Sequence, residues 1–296
     1  MQLRAAKPDV RRAIVKLNEG VSGIGNTVVD LTNLPDPGDP AEAAAVLERL
    51  RNMQFEVDMF GYPDYIATAI KEGAVVEEML DGEVKLSPSV QMRISPLGEV
   101  QVLYTHDQML GGPSGQSYLG AIFPADPTYS RLITREAVKV GERLAREGVV
   151  GRFVIDFLVI RNGDGDWEPF AIEINLRKGG TTHPFLALQY LTDGLYDPET
   201  GNFTTELGGE KCYVASDHIE SEAYRNLTTE DLFDLVSNYR LHYDHTCQTG
   251  LVLHMFSKIA ETGRIGVTAI HNSPEQARAL YDRFVATLDV VASAAE

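Results

Sequence analysis

Two nearly unbroken apolar runs, Val149 to Ile160 and Phe170 to Leu176, are joined by NGDGD. Runs without alternation suit strands of a sheet covered on both faces, and a DG pair suits a tight hairpin turn. Upstream, Leu132, Ile133, Ala137, Val140 and Leu144 recur at helical spacing behind Asp126-Pro127, which predicts a helix to Glu147 with one face on a core. Nearer the start, Ala13 to Leu17 and Thr27 to Leu31 read as strands around a loop with Gly20, Gly23 and Gly25, a hairpin with a glycine-rich tip. The turn NLPDPGDP, residues 33–40, predicts Asp39 as N-cap and Pro40 as the first residue of a helix to about Met53; a second helix is predicted over Pro63 to Lys71. Ala74 to Leu80, broken at Asp81-Gly82, then Val84 to Arg93 and Val100 to Thr105, read as strands. Residues 192–211 read as an excursion loop. Thr228 with Asp231 and Ser273 with Gln276 are capping-box-like starts, and Pro274 opens a final helix to about Ala292. The first hundred residues therefore form a small α+β unit.

At 296 residues and 44% hydrophobic content, the chain can bury one large or two medium cores, so disorder is not expected. The formal charge of -17, from 26 basic and 43 acidic residues, argues against a nucleic-acid partner or an anionic membrane surface, since both need a basic footprint. Phosphates remain accessible to a net acidic chain through backbone amides, single lysines and metal ions. Cys212 and Cys247 form neither a CxxC nor a cysteine–histidine cluster, so a disulfide framework or zinc site is not expected and a reducing, cytoplasmic compartment is. No apolar run reaches about 18 residues, and the start MQLRAAKPDVRR lacks a signal-peptide core, which adds the expectation of a soluble, intracellular chain.

The candidate chemistry starts in the hairpin. With the turn centred between Asp164 and Gly165, Asp156 lies opposite Glu173 on one sheet face, with Cβ atoms roughly 5 Å apart, where like charges destabilise the pair. Period-two alternation adds Asn175 to that face and places Arg152 opposite Arg177. Two carboxylates and a carboxamide oxygen are hard ligands suited to Mg²⁺, which completes its shell with water and phosphate oxygens. The alternatives are a structural ion-pair cluster with Arg152 and Arg177, or a one-residue register slip that separates the two acids.

Lys16 at a strand end, followed by Gly20, Ser22, Gly23 and Gly25, suits close approach of backbone amides and one point charge to a polyphosphate; the alternative is a plain glycine-rich turn. No Walker loop and no GxGxxG opening a helix is present. In EGAVVEEMLDGE, backbone groups near Glu78 and Leu80 offer adenine an acceptor and a donor, and Glu83 offers ribose an acceptor; the alternative is an edge strand whose acids, Glu77 and Glu78 among them, are solvated. His106, Asp107 and Gln108, and Thr181, Thr182 and His183, are polar clusters beside apolar strands, to be read as pocket lining or as satisfied core residues. His242 and His245 are spaced for a helical metal pair but lack a third ligand, which favours a helix end at the surface.

The order of these signals, VK before a glycine-rich hairpin, then VVEEML and an acid, then IDF and EIN, resembles the ATP-grasp superfamily of carboxylate-amine ligases. EINLRKGGTTHP, with THDQMLGGPSGQSYLGAIFPADPTY upstream, is similar to the peptide ligases of the pheganomycin type. The resemblance implies an α+β ATP-grasp fold: a small α+β lid subdomain, residues 1–80, over a larger antiparallel-sheet core, residues 81–296, with ATP in the cleft between them. It further implies that Lys16 and the loop from Glu19 to Gly25 hold the ATP phosphates, that Glu77, Glu78, Leu80 and Glu83 form the adenosine hinge, and that Asp156, Glu173 and Asn175 bind Mg²⁺. Arg152 and Arg177 would then be the catalytic cations facing the transferring phosphate or acyl intermediate. The implied reaction joins a small carboxylate to an amine, an amino acid or peptide, through an acyl phosphate. ATP-grasp ligases also carry an N-terminal domain and a further lysine before the lid, so a missing N-terminal half is expected: the chain is a fragment or a shortened gene product, or a partner chain or second copy supplies that half, or full activity has been lost. The rival readings are a non-catalytic ATP-binding subunit and a kinase-like phosphotransferase on the same scaffold.

Overall fold

The structure is a computed structural model that describes residues 1–21, 23–55, 61–112 and 115–294. It divides into two units, one of Met1–Gly82 with Leu110–Tyr118, the other of Glu83–Met109 with Leu119–Glu296.

The first unit holds α1 (Gln2–Ala6), β1 (Arg12–Val21), β2 (Ile24–Asp30), α2 (Glu42–Arg51), β3 (Gln54–Phe55), α3 (Tyr62–Glu72) and β4 (Ala74–Glu78), with its sheet in the order β3-β2-β1-β4. Strand alternation puts Ala13, Val15 and Leu17 of β1 and Val29 of β2 on one face, where they bury with Met53 and Tyr65. Tyr65 of α3 is fully buried, and its hydroxyl donates to Gly25 O at 2.8 Å and Val15 O at 3.2 Å, so one aromatic ring packs the core and pins the glycine hairpin together. The expected cap is corrected: α2 begins at Glu42 behind Ala41, because Asp39 Oδ1 is turned onto the Ala41 N–H at 2.7 Å. Glu42 itself is buried, accepting from Arg4 Nη1 at 2.6 Å and Gly38 N at 2.8 Å.

The second unit holds β5 (Val84–Leu86), β6 (Pro88–Ile94), most of β7 (Val100–Gly111) and of β8 (Ser117–Phe123), α4 (Pro127–Arg146), β9 (Gly151–Arg161), β10 (Glu168–Asn175), α5 (Thr182–Thr192), β11 (Leu195–Asp197), β12 (Asn202–Thr204), β13 (Cys212–Glu220), α6 (Thr229–Asn238), β14 (Gly250–His254), α7 (Phe256–Thr262), β15 (Arg264–His271) and α8 (Pro274–Ala294). The main sheet runs β10-β9-β6-β7-β8-β13-β15-β14, with β5 beside β9. The single strand expected over Val84 to Arg93 is cut into β5 and β6 at Pro88, which has no N–H to donate, yet both pieces keep one register on β9, Leu86 opposite Val159 and Ser89 opposite Asp156.

Helix α4 starts as expected, with Asp126 Oδ1 accepting from Thr128 N at 2.8 Å and Pro127 following. Its stripe of Tyr129, Ile133, Ala137 and Gly141, one turn apart, buries against Phe153, Ile155 and Phe157 of β9 and against β6. Each fully buried large apolar side chain here stabilises by roughly 1.5–3 kcal/mol. Gly141 is required by close approach, since a Cβ there would lie 2.7 Å from Val100 Cγ1 and 3.1 Å from Met92 Cε. The capping box at Thr228 and Asp231 opens α6, and Phe284, Leu288 and Ala292 of α8 bury against Leu232, Leu251, Ile265 and Val267.

Three expectations are corrected. β10 is the sheet's edge, with Ile174 47% exposed, so it is not covered on both faces. Residues 192–211 contain the β11–β12 hairpin, held because Phe203 buries against Phe123 and Phe185. His242 and His245 lie beyond the end of α6, in bridge and turn residues rather than on a helix. Among the described residues no group of three or more His, Cys, Asp or Glu is arranged to hold a metal, and no helix is long and apolar enough to cross a membrane.

Candidate functional site

Near its turn, the β9–β10 ladder pairs Glu168 with Ile160 and Ala171 with Phe157; beyond it, Glu173 pairs with Asp156 and Asn175 with Val154. The change of register falls at Ile172, an extra residue in β10. Asp156 and Glu173 are therefore directly opposed, although next to the turn the ladder runs one residue out of the expected register: the bulge restores the pairing. Such bulges re-aim side chains at functional edges.

The pairing extends the row across the sheet. Ser89 of β6 is opposite both Asp156 and His106 of β7, so Glu173, Asp156, Ser89 and His106 share a row and a face. Ser89 Oγ donates to Asp156 Oδ1 at 2.5 Å, Asn175 Nδ2 donates to Asp156 Oδ2 at 3.2 Å, and Gln108 Nε2 donates to Ser89 Oγ at 2.7 Å. Burial pushes the Asp156 pKa up to about 6; the Ser89 hydrogen bond lowers it, Glu173 raises it, and Arg177 and Gln108 lower it. Two acids side by side, one desolvated, with an amide at the same edge, form a donor set that fits Mg²⁺, which takes one or two carboxylates and otherwise water and phosphate.

The arginines part company. Arg152 lies opposite Arg93 of β6, not opposite Arg177, because β10 ends at Asn175. Arg177 turns out of the strand, its N–H donating to Asn175 O at 2.8 Å and its Nη1 to Lys178 O at 3.2 Å. Only Arg177 acts on Asp156; Arg152 favours the ionised form of Tyr104, whose pKa burial raises to about 12.

The polar clusters divide by alternation. His106 and Gln108 face the Asp156 side. Asp107 faces α4, accepting from Tyr129 OH at 2.9 Å and Asp126 N at 3.0 Å, with burial raising its pKa to about 6. His106 is 3% exposed, its Nδ1 has no partner among the described residues, and burial depresses its pKa to about 3, so it is neutral at pH 7. Thr181 is buried and receives Gln91 Nε2 at 3.1 Å, with Tyr104 OH at 3.3 Å, tying the loop after EIN to β6 and β7. His183 packs on His254, ring centroids 4.7 Å apart. Ser89 and Gln91 were missed from the sequence; the signal was present as two polar residues spaced by two among Val90, Met92 and Ile94.

In the first unit, Lys16 Nζ is 2.7 Å from Glu77 Oε2, and Lys7 pairs with Glu78. Glu19 and Gly20 are exposed on β1, while Gly23 and Gly25 take positive φ of 83° and 99°. At Gly23 a Cβ would also lie 2.6 Å from Gln116 O, so that position is closed to a side chain on two grounds. Ser22 lies outside the described residues. Leu80 follows β4 in irregular chain. In the second unit, Glu83 Oε2 accepts from Gly163 N at 2.8 Å, so this acid braces the NGDGD turn.

Residues 40–198, more than half of the chain, match the family described as IQCH-like, ATP-grasp, and residues 231–284 match the PGM1 C-terminal domain. The L-propargylglycine–L-glutamate ligase of Streptantibioticus cattleyicolor is 32% identical over 269 residues, 90% of this chain and 52% of that protein. The chain thus spans about half the length of this curated relative. Among solved structures, an ADP complex of N5-carboxyaminoimidazole ribonucleotide synthetase superposes with a TM-score of 0.53 at 16% identity, covering 98% of this chain and 64% of that one. The ATP complex of carboxyaminoimidazole ribonucleotide synthase from Aspergillus clavatus does so at 0.52 and 13%, covering 98% and 65%. At those identities the likeness is one of fold, and it agrees with the α+β architecture and its antiparallel sheet. By its sequence match over residues 40–198, the chain belongs to the IQCH-like, ATP-grasp family.

Proposed function

We propose that this chain works as an ATP- and Mg²⁺-dependent ligase that joins a carboxylate to an amine, an amino acid or peptide on each side, through an acyl phosphate. The observation that carries the reading is the direct pairing of Asp156 with Glu173 on β9 and β10, with Asn175 beside them. Family membership and a relative whose name states the joining of two amino acids support it.

Asp156, Glu173 and Asn175 are assigned to Mg²⁺, which when bound would neutralise polyphosphate charge and hold its oxygens for in-line transfer. In the first unit, Lys16 with Glu19, Gly20, Gly23 and Gly25 is assigned to phosphates, and Glu77, Glu78 and Leu80 to adenosine. In the second, Glu83 is assigned to ribose, and Arg152 and Arg177 to the developing charge. The acid oxygen attacks the γ-phosphorus and ADP leaves; the amine nitrogen then attacks the acyl carbon, and phosphate leaves with the former acid oxygen. Such chemistry needs positioning and charge stabilisation rather than a side-chain nucleophile.

The test is ADP release measured with an acid, an amine, and both. Release that needs both supports ligation. Release with the acid alone, yielding ADP and a stable phosphorylated acid as the products, favours phosphotransfer, and ATP binding without turnover in any mixture favours a nucleotide-binding subunit. Glu173→Ala, at an exposed edge position, should abolish Mg²⁺-dependent ATP binding with the circular dichroism spectrum unchanged; survival of that dependence overturns the metal assignment.

A further inference from the structure

Ser89 has no exposed surface, and Gln108 belongs to a THDQ stretch that the proposed reaction leaves without a role. A serine hydroxyl carries one proton. Gln108 Nε2 donates into Ser89 Oγ at 2.7 Å, so that oxygen is an acceptor on the Gln108 side, and its single proton goes to Asp156 Oδ1 at 2.5 Å. Asn175 Nδ2 holds the other oxygen at 3.2 Å. The carboxylate is thus fixed from both sides.

We propose that Ser89 and Gln108 are positioning residues for the cation site: Gln108 sets the direction of the Ser89 hydroxyl, and Ser89 fixes the rotation of the Asp156 carboxylate. The proposal rests on the assignment of Asp156, Glu173 and Asn175 to Mg²⁺. A carboxylate held in this way presents its remaining lone pairs in one direction, so less ordering is left for the moment of binding. Partners behind a ligand commonly change metal affinity 10–100-fold when removed. The alternation of β6 and β7 explains why these two residues serve it: Ser89, His106 and Gln108 stand on the Asp156 face, while Asp107 between them is turned to α4 and bonded to Tyr129.

The test uses Mn²⁺ as probe, its free concentration read by electron paramagnetic resonance, on the full chain with and without a non-hydrolysable ATP analogue. Ser89→Ala is expected to weaken Mn²⁺ binding about tenfold or more and Gln108→Met by a smaller factor. In the double variant the loss should be less than the product of the two single losses, because Gln108 acts in part through Ser89 and in part on Asp156 itself. ATP-analogue binding without metal should be unchanged in both, and thermal unfolding checks folding; Gln108 is half-buried, so its variant keeps the test available if Ser89→Ala fails to fold. Asp156→Asn separates the two claims. If it removes Mn²⁺ binding while Ser89→Ala and Gln108→Met leave it intact, or if their losses multiply independently, the positioning role is overturned and the metal assignment stands. If Asp156→Asn leaves Mn²⁺ affinity unchanged, both fall.

Discussion

In the four-stranded sheet of the first unit, acids meet cations at the surface: Lys16 with Glu77, Lys7 with Glu78, Arg12 with Asp81. On the nine-stranded sheet of the second unit, two acids meet each other, and Asp156 is buried enough to raise its pKa to about 6. The first arrangement is nearly neutral for stability, since exposed ion pairs contribute roughly 0–1 kcal/mol. The second is unfavourable in isolation, because like charges directly opposed on a sheet repel and burial withholds solvent from one of them. A fold keeps such a pair where something else compensates, here two hydrogen bonds to Asp156 and the nearby Arg177, to which the proposed function would add a divalent ion. The difference teaches where the chain is committed: for stability the solvated ion pairs of the first unit are replaceable one at a time, whereas its buried Arg4–Glu42 pair and the acids of the β9–β10 edge are not.

The largest test of that contrast sets Asp156→Ala against Glu77→Ala. Titration calorimetry with a non-hydrolysable ATP analogue, with and without Mg²⁺, should show the Mg²⁺-dependent part of binding falling on the order of a hundredfold or more for Asp156→Ala, beyond what loss of an outer partner costs. Glu77→Ala should change it less than tenfold. Equal losses would erase the distinction between the two regions.

Next in size is an acid response of buried histidines, which only the second unit carries. The first unit has no histidine, whereas burial lowers the pKa of His106 to about 3 and that of His254 to about 4. An unfolded histidine takes up its proton below about 6.5, and the folded His106 does so only near 3. The folded state therefore loses stability as pH falls through that window, by at most about 1.4 kcal/mol per pH unit for this group. Urea unfolding of His106→Phe, metal-free, should show a flatter decline between pH 6.5 and 3 than the parent chain. Hydrogen exchange should show β7 opening before β1. A parallel decline in the variant would remove His106 as the cause.

How much of this was legible in the chain depends on the range of the interaction. The carboxylate pair was, because acids inside apolar runs must face something, and a hairpin brings near neighbours together. The route was not: beside the turn the ladder is one residue out of that register, and Ile172 bulges to restore the pairing, a correction without a signature in residue type. The Arg152–Arg177 opposition failed for a similar reason, since it assumed that β10 continues past Asn175. Helix α4 and the Thr228 cap were readable from local spacing and capping chemistry. Helix α5 and strands β8, β13, β14 and β15 were not, because their order in the sheet is set by pairings between distant segments, such as Val214 with Ile122 and Ala269. Ser89 illustrates the limit: two polar positions in SVQM mark a polar face, but only the fold shows that the face is Asp156's.

A smaller effect belongs to the first unit alone. Tyr65→Phe keeps the ring and removes the hydroxyl that donates to Gly25 O and Val15 O. With two buried carbonyls losing a donor, the expected cost is about 1–2 kcal/mol. Faster amide exchange should appear along β1 and β2, with Mn²⁺ affinity at the β9–β10 edge unchanged. A drop in that affinity would mean that the two regions do not answer separately.

The smallest expected effect is the sharpest check on the view that surface charges of the first unit are replaceable. Lys7 pairs with Glu78, and the side chains are 57% and 29% exposed. Water screens such a pair and ordering two long side chains opposes it, so Lys7→Met should change unfolding free energy by less than about 1 kcal/mol. Raising salt should shrink even that difference, because added ions screen exposed charges first. Denaturant unfolding at low and high ionic strength measures both quantities. A loss above about 2 kcal/mol that persists in high salt would show that Lys7 acts through its buried stem rather than its charge, and the contrast between solvated and buried charge would then fail in the region where it ought to hold most easily.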